Sequence, residues 1–200
     1  MSSPGGAVFY CCPVADDTNT ATLDITPTGQ ACGAFVRGVD LSQPLTDAEV
    51  AAIRAAWLDH KVLVFPEQPM TEADQERFTL YFGPFGHEPF FEPIDGHPHI
   101  AAIHRLADET STLFAEIWHT DWSFQEFPPD GTILCSRVLP PRGGDTLYAD
   151  QQKAWETMPS ELKERLADKV AVHSARGGYA PDGTYGEKDA AGRSMRIVFD

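Results

Sequence analysis

The sequence predicts an α+β, mainly β protein, a jelly-roll β core backed by helices. Three observations predict it. Short apolar runs recur through the second half of the chain between Pro and Gly turns. Two capped helical patterns stand in the first half, outside that strand run. No self-similarity appears at solenoid periods. The 200 residues fit one domain able to bury roughly 70% of its unfolded surface, and 42% hydrophobic with 22% charged residues is the composition of a soluble globular protein.

Residues 1–22, rich in Gly, Pro, Ser, Asp and Thr, are expected to form a flexible arm ahead of an incomplete domain over 23–200. From Leu23, "LDITPTGQACGAFVRGVDL" alternates apolar and polar residues around Gly and Pro breaks, which predicts two short strands joined by a turn. In "PLTDAEVAAIRAAWLDHKVLVF" Thr46 and Glu49 make a capping box, and Val50, Ile53 and Trp57 recur at helical spacing. Lys61 to Phe65 then reads as a buried strand. Thr71 and Asp74 open a second helix that Gly83 and Pro84 close. Further strands are expected over His99 to Leu106, Ile117 to Asp121, Thr132 to Leu139, Thr146 to Ala149 and Lys169 to His173. Between Gln151 and Ala167 lies one helix, or a pair broken at Met158-Pro159. The closing "SMRIVFD" is apolar and strand-like with no turn or polar tail after it, which suggests a chain truncated at its C-terminus.

Charge and cysteine usage exclude several classes. A net charge of −15 with only 15 Lys and Arg opposes nucleic-acid binding, which needs clustered cations against phosphate. No run of 18 apolar residues predicts a membrane span, and the start of the chain lacks the pattern of a secretory signal, so a cytoplasmic location is expected. Cys11, Cys12, Cys32 and Cys135 have no C-x-x-C spacing and are expected to be reduced thiols. The partner expected is a small-molecule substrate, and self-association into a homo-oligomer is left open.

Chemistry concentrates in "IWHTDWSF", residues 117–124. In an extended run alternate side chains share a face, so His119 and Asp121 would converge while Thr120 points away. The spacing alone is weak: with 7 His and 17 Asp, chance gives about 0.6 such pairs. Its surroundings are specific. "WHTDWSF", Pro128-Pro129, "GTILCSRVLPPRGGDTLYAD", Ala154-Trp155 and Leu166 to His173, preceded by "GAFVRGVDLSQPL" and "HKVLVFPEQPMTEADQERFTLYFG", together resemble the Fe(II)- and 2-oxoglutarate-dependent dioxygenases of the taurine and dichlorophenoxyacetate dioxygenase family. The likeness runs from about Leu23 to the end.

That resemblance implies a double-stranded β-helix (clavaminate-synthase-like jelly roll) and an enzyme that uses Fe(II), 2-oxoglutarate and O2. Such an enzyme hydroxylates a small organic substrate and releases succinate and CO2. Ferrous iron that must also take a bidentate cosubstrate and oxygen can give only about three of its six positions to protein, hence two histidines and one carboxylate. His119 and Asp121 match two of the three. Thr146 and Leu134 match positions that bind and line the 2-oxoglutarate pocket. The third ligand, a histidine, and an arginine that pairs with the far carboxylate of 2-oxoglutarate lie downstream in the family and have no match in this chain. His173 matches a family histidine that is not a ligand, and His97, His99 and His104 read as a turn or core cluster without a carboxylate at useful spacing.

Against the taurine enzymes, Glu88 and Phe91 fall where a histidine and a tyrosine face the sulfonate, and Ala115 falls where an asparagine stands. A carboxylate there should repel a small sulfonate, so the expected substrate is not taurine but something larger, more apolar or amine-bearing. Trp122 and Phe124 are the further candidate substrate residues, with Phe90 and Arg176 weaker ones. The alternative is a catalytically inactive fragment or structural homologue with a partial metal site. A zinc hydrolase would need a third ligand and a general base that the sequence does not offer.

Overall fold

A computed structural model describes residues 23–88, 90–110 and 117–175. The first elements follow the sequence pattern closely. β1 (Asp24–Pro27) and β2 (Ala34–Arg37) form an antiparallel hairpin with Asp24 opposite Arg37 and Pro27 opposite Ala34. Its turn is closed by Thr28 N–H donating to Gly33 O at 2.9 Å and by the Thr28 hydroxyl on Cys32 O. Gly33 takes φ +100°, a left-handed backbone that favours glycine.

α1 (Asp47–His60) begins at the expected capping box, with Thr46 accepting from Glu49 N–H and Glu49 accepting from Thr46 N–H. It carries the chain back to β3 (Leu63–Val64), which lies parallel to β2. The crossover is sealed where Gly33 N–H and Ala34 N–H donate to His60 O and Val62 O. α2 (Glu72–Leu80) is capped in the same way by Thr71 and Asp74, and it ends at Leu80 rather than at Gly83. Ile53 from α1 and Phe78 from α2 meet Leu41 and Met70 in one buried cluster, which Leu63, Phe65, Phe82 and Ile133 flank. Phe65, Phe78 and Phe82 pack edge to face, with centroids 5.6 and 5.2 Å apart. Gln68 pins the loop before α1, accepting from Leu41 N–H and donating to Val39 O.

β4 (Pro93–Ile94) and β5 (His97–Ala101) make a second, two-stranded sheet. Its strand starts two residues before His99 and ends at Ala101 rather than Leu106; Pro98 is tolerated in it because an edge strand leaves one side of its backbone unpaired. α3 (Gln151–Thr157) and α4 (Ser160–Leu166) are the expected helix pair, broken at Met158-Pro159.

The second half departs from expectation. Ile117 to Asp121, Thr132 to Leu139, Thr146 to Ala149 and Lys169 to His173 join no ladder among the described residues. A strand needs a neighbour for its backbone groups and a cover for its apolar face. Here Val138, Val170 and Val172 are 91%, 87% and 90% exposed, so the described residues supply neither. The run 132–137 is tethered instead by side chains to α2 and the residues just before it: Gln75 donates to Ile133 O, and Arg137 bonds Met70 O and Glu72.

Cys32 and Cys135 are free thiols, while Cys11 and Cys12 lie outside the described residues. Among the described residues no helix is long and apolar enough to cross a membrane.

Candidate metal centre

His119 and Asp121 do converge, but through a turn rather than a strand. The backbone from Ile117 to Thr120 is irregular, and the turn that begins at Asp121 contains Trp122 at φ +50°, with Gln125 N–H donating to Trp122 O. His119 Nδ1 sits 2.8 Å from Ile117 O. A carbonyl only accepts, so Nδ1 carries the proton and Nε2 is left as the acceptor nitrogen. Nε2 lies 3.1 Å from Asp121 Oδ1. Two acceptors that close face each other only with a cation between them or a second proton on the ring. Metal donors bound at right angles, each about 2.1 Å from the ion, stand about 3 Å apart. With a second ring proton the contact is an ion pair; with a neutral imidazole and a carboxylate the same donor pair fits a divalent metal.

The other carboxylate oxygen is also engaged. Thr132 donates its hydroxyl to Asp121 Oδ2 at 2.8 Å. Tyr148 lies close enough that the Asp121 charge adds to the effect of burial in pushing its phenol up. Ser123, two residues on, shares a 2.7 Å hydrogen bond with His173 Nδ1, which occupies that histidine away from the pair. Among the described residues no third His, Cys, Asp or Glu joins His119 and Asp121.

Beside the pair stands a ring cluster. Trp122 lies 5.8 Å from Phe90, 6.3 Å from Phe91 and 5.7 Å from Phe124, and Phe90 lies 5.8 Å from Phe124. Glu88 closes the turn leading into it, one oxygen accepting from Phe90 N–H and Phe91 N–H. Burial pushes the Glu88 carboxyl up, opposed by those two hydrogen bonds and by nearby His87. The four residues expected to contact substrate thus gather in one neighbourhood, to which Trp122 joins Asp121 as its neighbour in sequence. Thr146 and Leu134 do not gather there: both are exposed, and no hydrogen bond ties Thr146 to the pair among the described residues. Gly143 and Gly144 take positive φ and form the turn before Thr146. Ala115 and Arg176 lie outside the described residues.

Two of the other histidines have partners of their own. His97 lies not in a turn but in β5, and its Nδ1 meets Glu76 Oε2 of α2 at 3.0 Å. The carboxylate missing from its own stretch thus comes from 21 residues upstream, and the contact links β5 to α2 without belonging to a metal cluster among the described residues. His99 stacks on Phe85 with centroids 3.9 Å apart.

The sequence reading missed Thr132 and Tyr148. A signal for Thr132 existed, since Pro128-Pro129-Asp130-Gly131 reverses the chain between two strand-like runs and so sets residues near 121 opposite residues near 132. Nothing local marks Tyr148.

The model of the taurine catabolism dioxygenase TauD, TfdA family matches residues 23–197. An alpha-ketoglutarate-dependent sulfate ester dioxygenase of Pseudomonas putida is 40% identical over 161 residues, which cover 79% of this chain and 52% of that protein. An (S)-phenoxypropionate/alpha-ketoglutarate-dioxygenase of Delftia acidovorans is 32% identical, covering 76% and 55%. Among solved structures, a taurine dioxygenase from Burkholderia xenovorans superposes with a TM-score of 0.59 at 32% identity, covering 73% of this chain and 51% of that one. A structure of AAD-2 in complex with Mn(II) and N-oxalylglycine gives the same score at 28% identity, covering 78% and 57%. The chain spans about half the length of the curated relatives it matches. A family match over 23–197, running through the His119 and Asp121 pair, settles its membership: the chain belongs to the taurine catabolism dioxygenase TauD, TfdA family.

Proposed function

We propose that this protein is an Fe(II)- and 2-oxoglutarate-dependent dioxygenase that hydroxylates a small organic substrate other than taurine. The observation that carries the reading is the 3.1 Å approach of His119 Nε2 to Asp121 Oδ1, with Nδ1 committed to Ile117 O. His119 and Asp121 would hold the iron. When bound, iron with 2-oxoglutarate and O2 supplies the oxidising power, and succinate and CO2 are the by-products. The chain's own work is placement. The Ile117 carbonyl fixes the His119 tautomer, while the Trp122, Phe90, Phe91 and Phe124 rings offer an apolar wall beside the donors. The cosubstrate roles of Thr146 and Leu134 remain part of the proposal, supported by the family match over their segment.

The jelly roll belongs to the same proposal. Its support is the superposition on the Burkholderia xenovorans taurine dioxygenase, together with the strand-like runs whose apolar faces lie bare. A substrate other than taurine is supported by Glu88 and by relatives named for sulfate esters and phenoxypropionate. We place the protein in the cytoplasm, acting on a small molecule rather than on nucleic acid, which the charge of −15 opposes.

A second reading, a non-catalytic homologue with a partial metal site, is favoured by one observation: the pair has no third ligand among the described residues. Anaerobic addition of Fe(II) and 2-oxoglutarate separates the two. The enzyme reading expects a weak visible charge-transfer band that His119→Ala abolishes, followed in air by substrate-triggered release of succinate from a panel of sulfate esters, aryloxyacids and amines. No band at saturating Fe(II) and 2-oxoglutarate would leave only the second reading.

A further inference from the structure

We propose that Thr132 is the positioning residue that aims the Asp121 carboxylate at the metal. The inference rests on the reading of His119 and Asp121 as metal donors and adds a residue to it. Asp121 sits in an exposed turn, where its carboxylate torsion is broad and two-fold, so either oxygen could face His119. Thr132 removes that freedom by holding Oδ2 at 2.8 Å, which leaves Oδ1 as the oxygen 3.1 Å from His119 Nε2.

Thr132 can do this because its own backbone is anchored on both sides. Gly131 before it lies so close to Trp57 of α1 that a Cβ there would stand 2.6 Å from the indole Cζ2. Ile133 after it packs against the core cluster, and its carbonyl accepts from Gln75 of α2. Four residues on, Arg137 ties the same run to Met70 O and Glu72. A β-branched side chain with few rotamers, held on two helices, thereby passes the rigidity of the core to a ligand that has little of its own. The contact spans 11 positions in sequence and joins the two chain runs flanking the Pro-Pro-Asp-Gly turn.

The test is Mn(II) affinity, read from the EPR signal of the free aqueous ion, with unfolding midpoints measured alongside. Thr132→Val keeps the shape and removes the hydroxyl, and is expected to weaken Mn(II) about tenfold or more. Thr132→Ser keeps the donor and should stay within about twofold of wild type. In an Asp121→Ala background the valine change should cost nothing further, because the oxygen it holds is gone. Thr132 is exposed, so both variants should unfold where wild type does. Equal affinity of Thr132→Val and wild type, or equal losses in the Val and Ser variants, would overturn the proposal. If His119→Ala and Asp121→Asn both bind Mn(II) as wild type does, the metal reading falls first and this one with it.

Discussion

Thr71 and Asp74 close a ring at the start of α2. The carboxylate accepts from Thr71 N–H at 2.9 Å and from the Thr71 hydroxyl at 2.6 Å, while Thr71 Oγ1 accepts from Asp74 N–H at 3.2 Å. Arg77 adds a 2.7 Å contact to the other oxygen. These bonds favour the ionised form and lower the Asp74 pKa from 3.8 to about 2, the Thr71 hydroxyl contributing most. A carboxyl lowered on folding contributes stability that is complete above 3.8 and lost as the pH falls toward about 2. Asp74→Asn should therefore be less stable than wild type at pH 6 and draw level with it near pH 2. Urea midpoints at pH 6, 4 and 2 check this; a gap that is the same at all three would refute the linkage.

The core prediction concerns Ile53, 2% exposed between α1 and α2. Ile53→Ala removes buried methylenes from a packed cluster and should cost about 2–5 kcal/mol. Leu58, on the same helix but 66% exposed, should tolerate alanine within about 0.5 kcal/mol. Denaturant unfolding of the two variants reads the contrast.

Gly131→Ala should damage both the core and the metal pair. A Cβ 2.6 Å from the Trp57 ring forces the loop or the indole to move, at about 1–3 kcal/mol. Since Thr132 follows directly, Mn(II) affinity should drop in the same variant. Gly96→Ala, where nothing lies within 4 Å of a new Cβ but φ is +78°, should lower stability through backbone strain while leaving Mn(II) affinity intact.

Glu88→Gln should widen the substrate range toward anions. The carboxylate is held at the cluster by Phe90 N–H and Phe91 N–H, so removing its charge lifts a repulsion from any sulfate ester or sulfonate placed there. KM for such a substrate should fall on the order of tenfold with little change in kcat. An unchanged KM would place the substrate's anion elsewhere.

The first half of the fold was legible because its signals are local. Capping boxes at Thr46 and Thr71 and the apolar spacing of Val50, Ile53 and Trp57 each act within a turn or two of chain. The strand runs after residue 117 find no ladder partner among the described residues, because alternation reports only which side chains want cover, not which neighbour gives it. The meeting of His119 and Asp121 was foreseen from the wrong cause. Strand alternation suggested it, whereas the turn at Asp121, with the left-handed backbone of Trp122, produces it. Partners contributed from a distance, such as Glu76 for His97 and Thr132 for Asp121, carry no mark at their own positions.

Trp57 supplies a built-in optical reporter. Its indole abuts Gly131, next in sequence to the hydroxyl on Asp121, and leans edge-on against Phe82 with centroids 6.1 Å apart. With Trp118, Trp122 and Trp155 changed to Phe, the emission of the one remaining indole would follow the 131–133 segment without any attached dye. A shift on adding Mn(II) would then register, in real time, any change at a segment whose own side chains absorb too weakly to be seen.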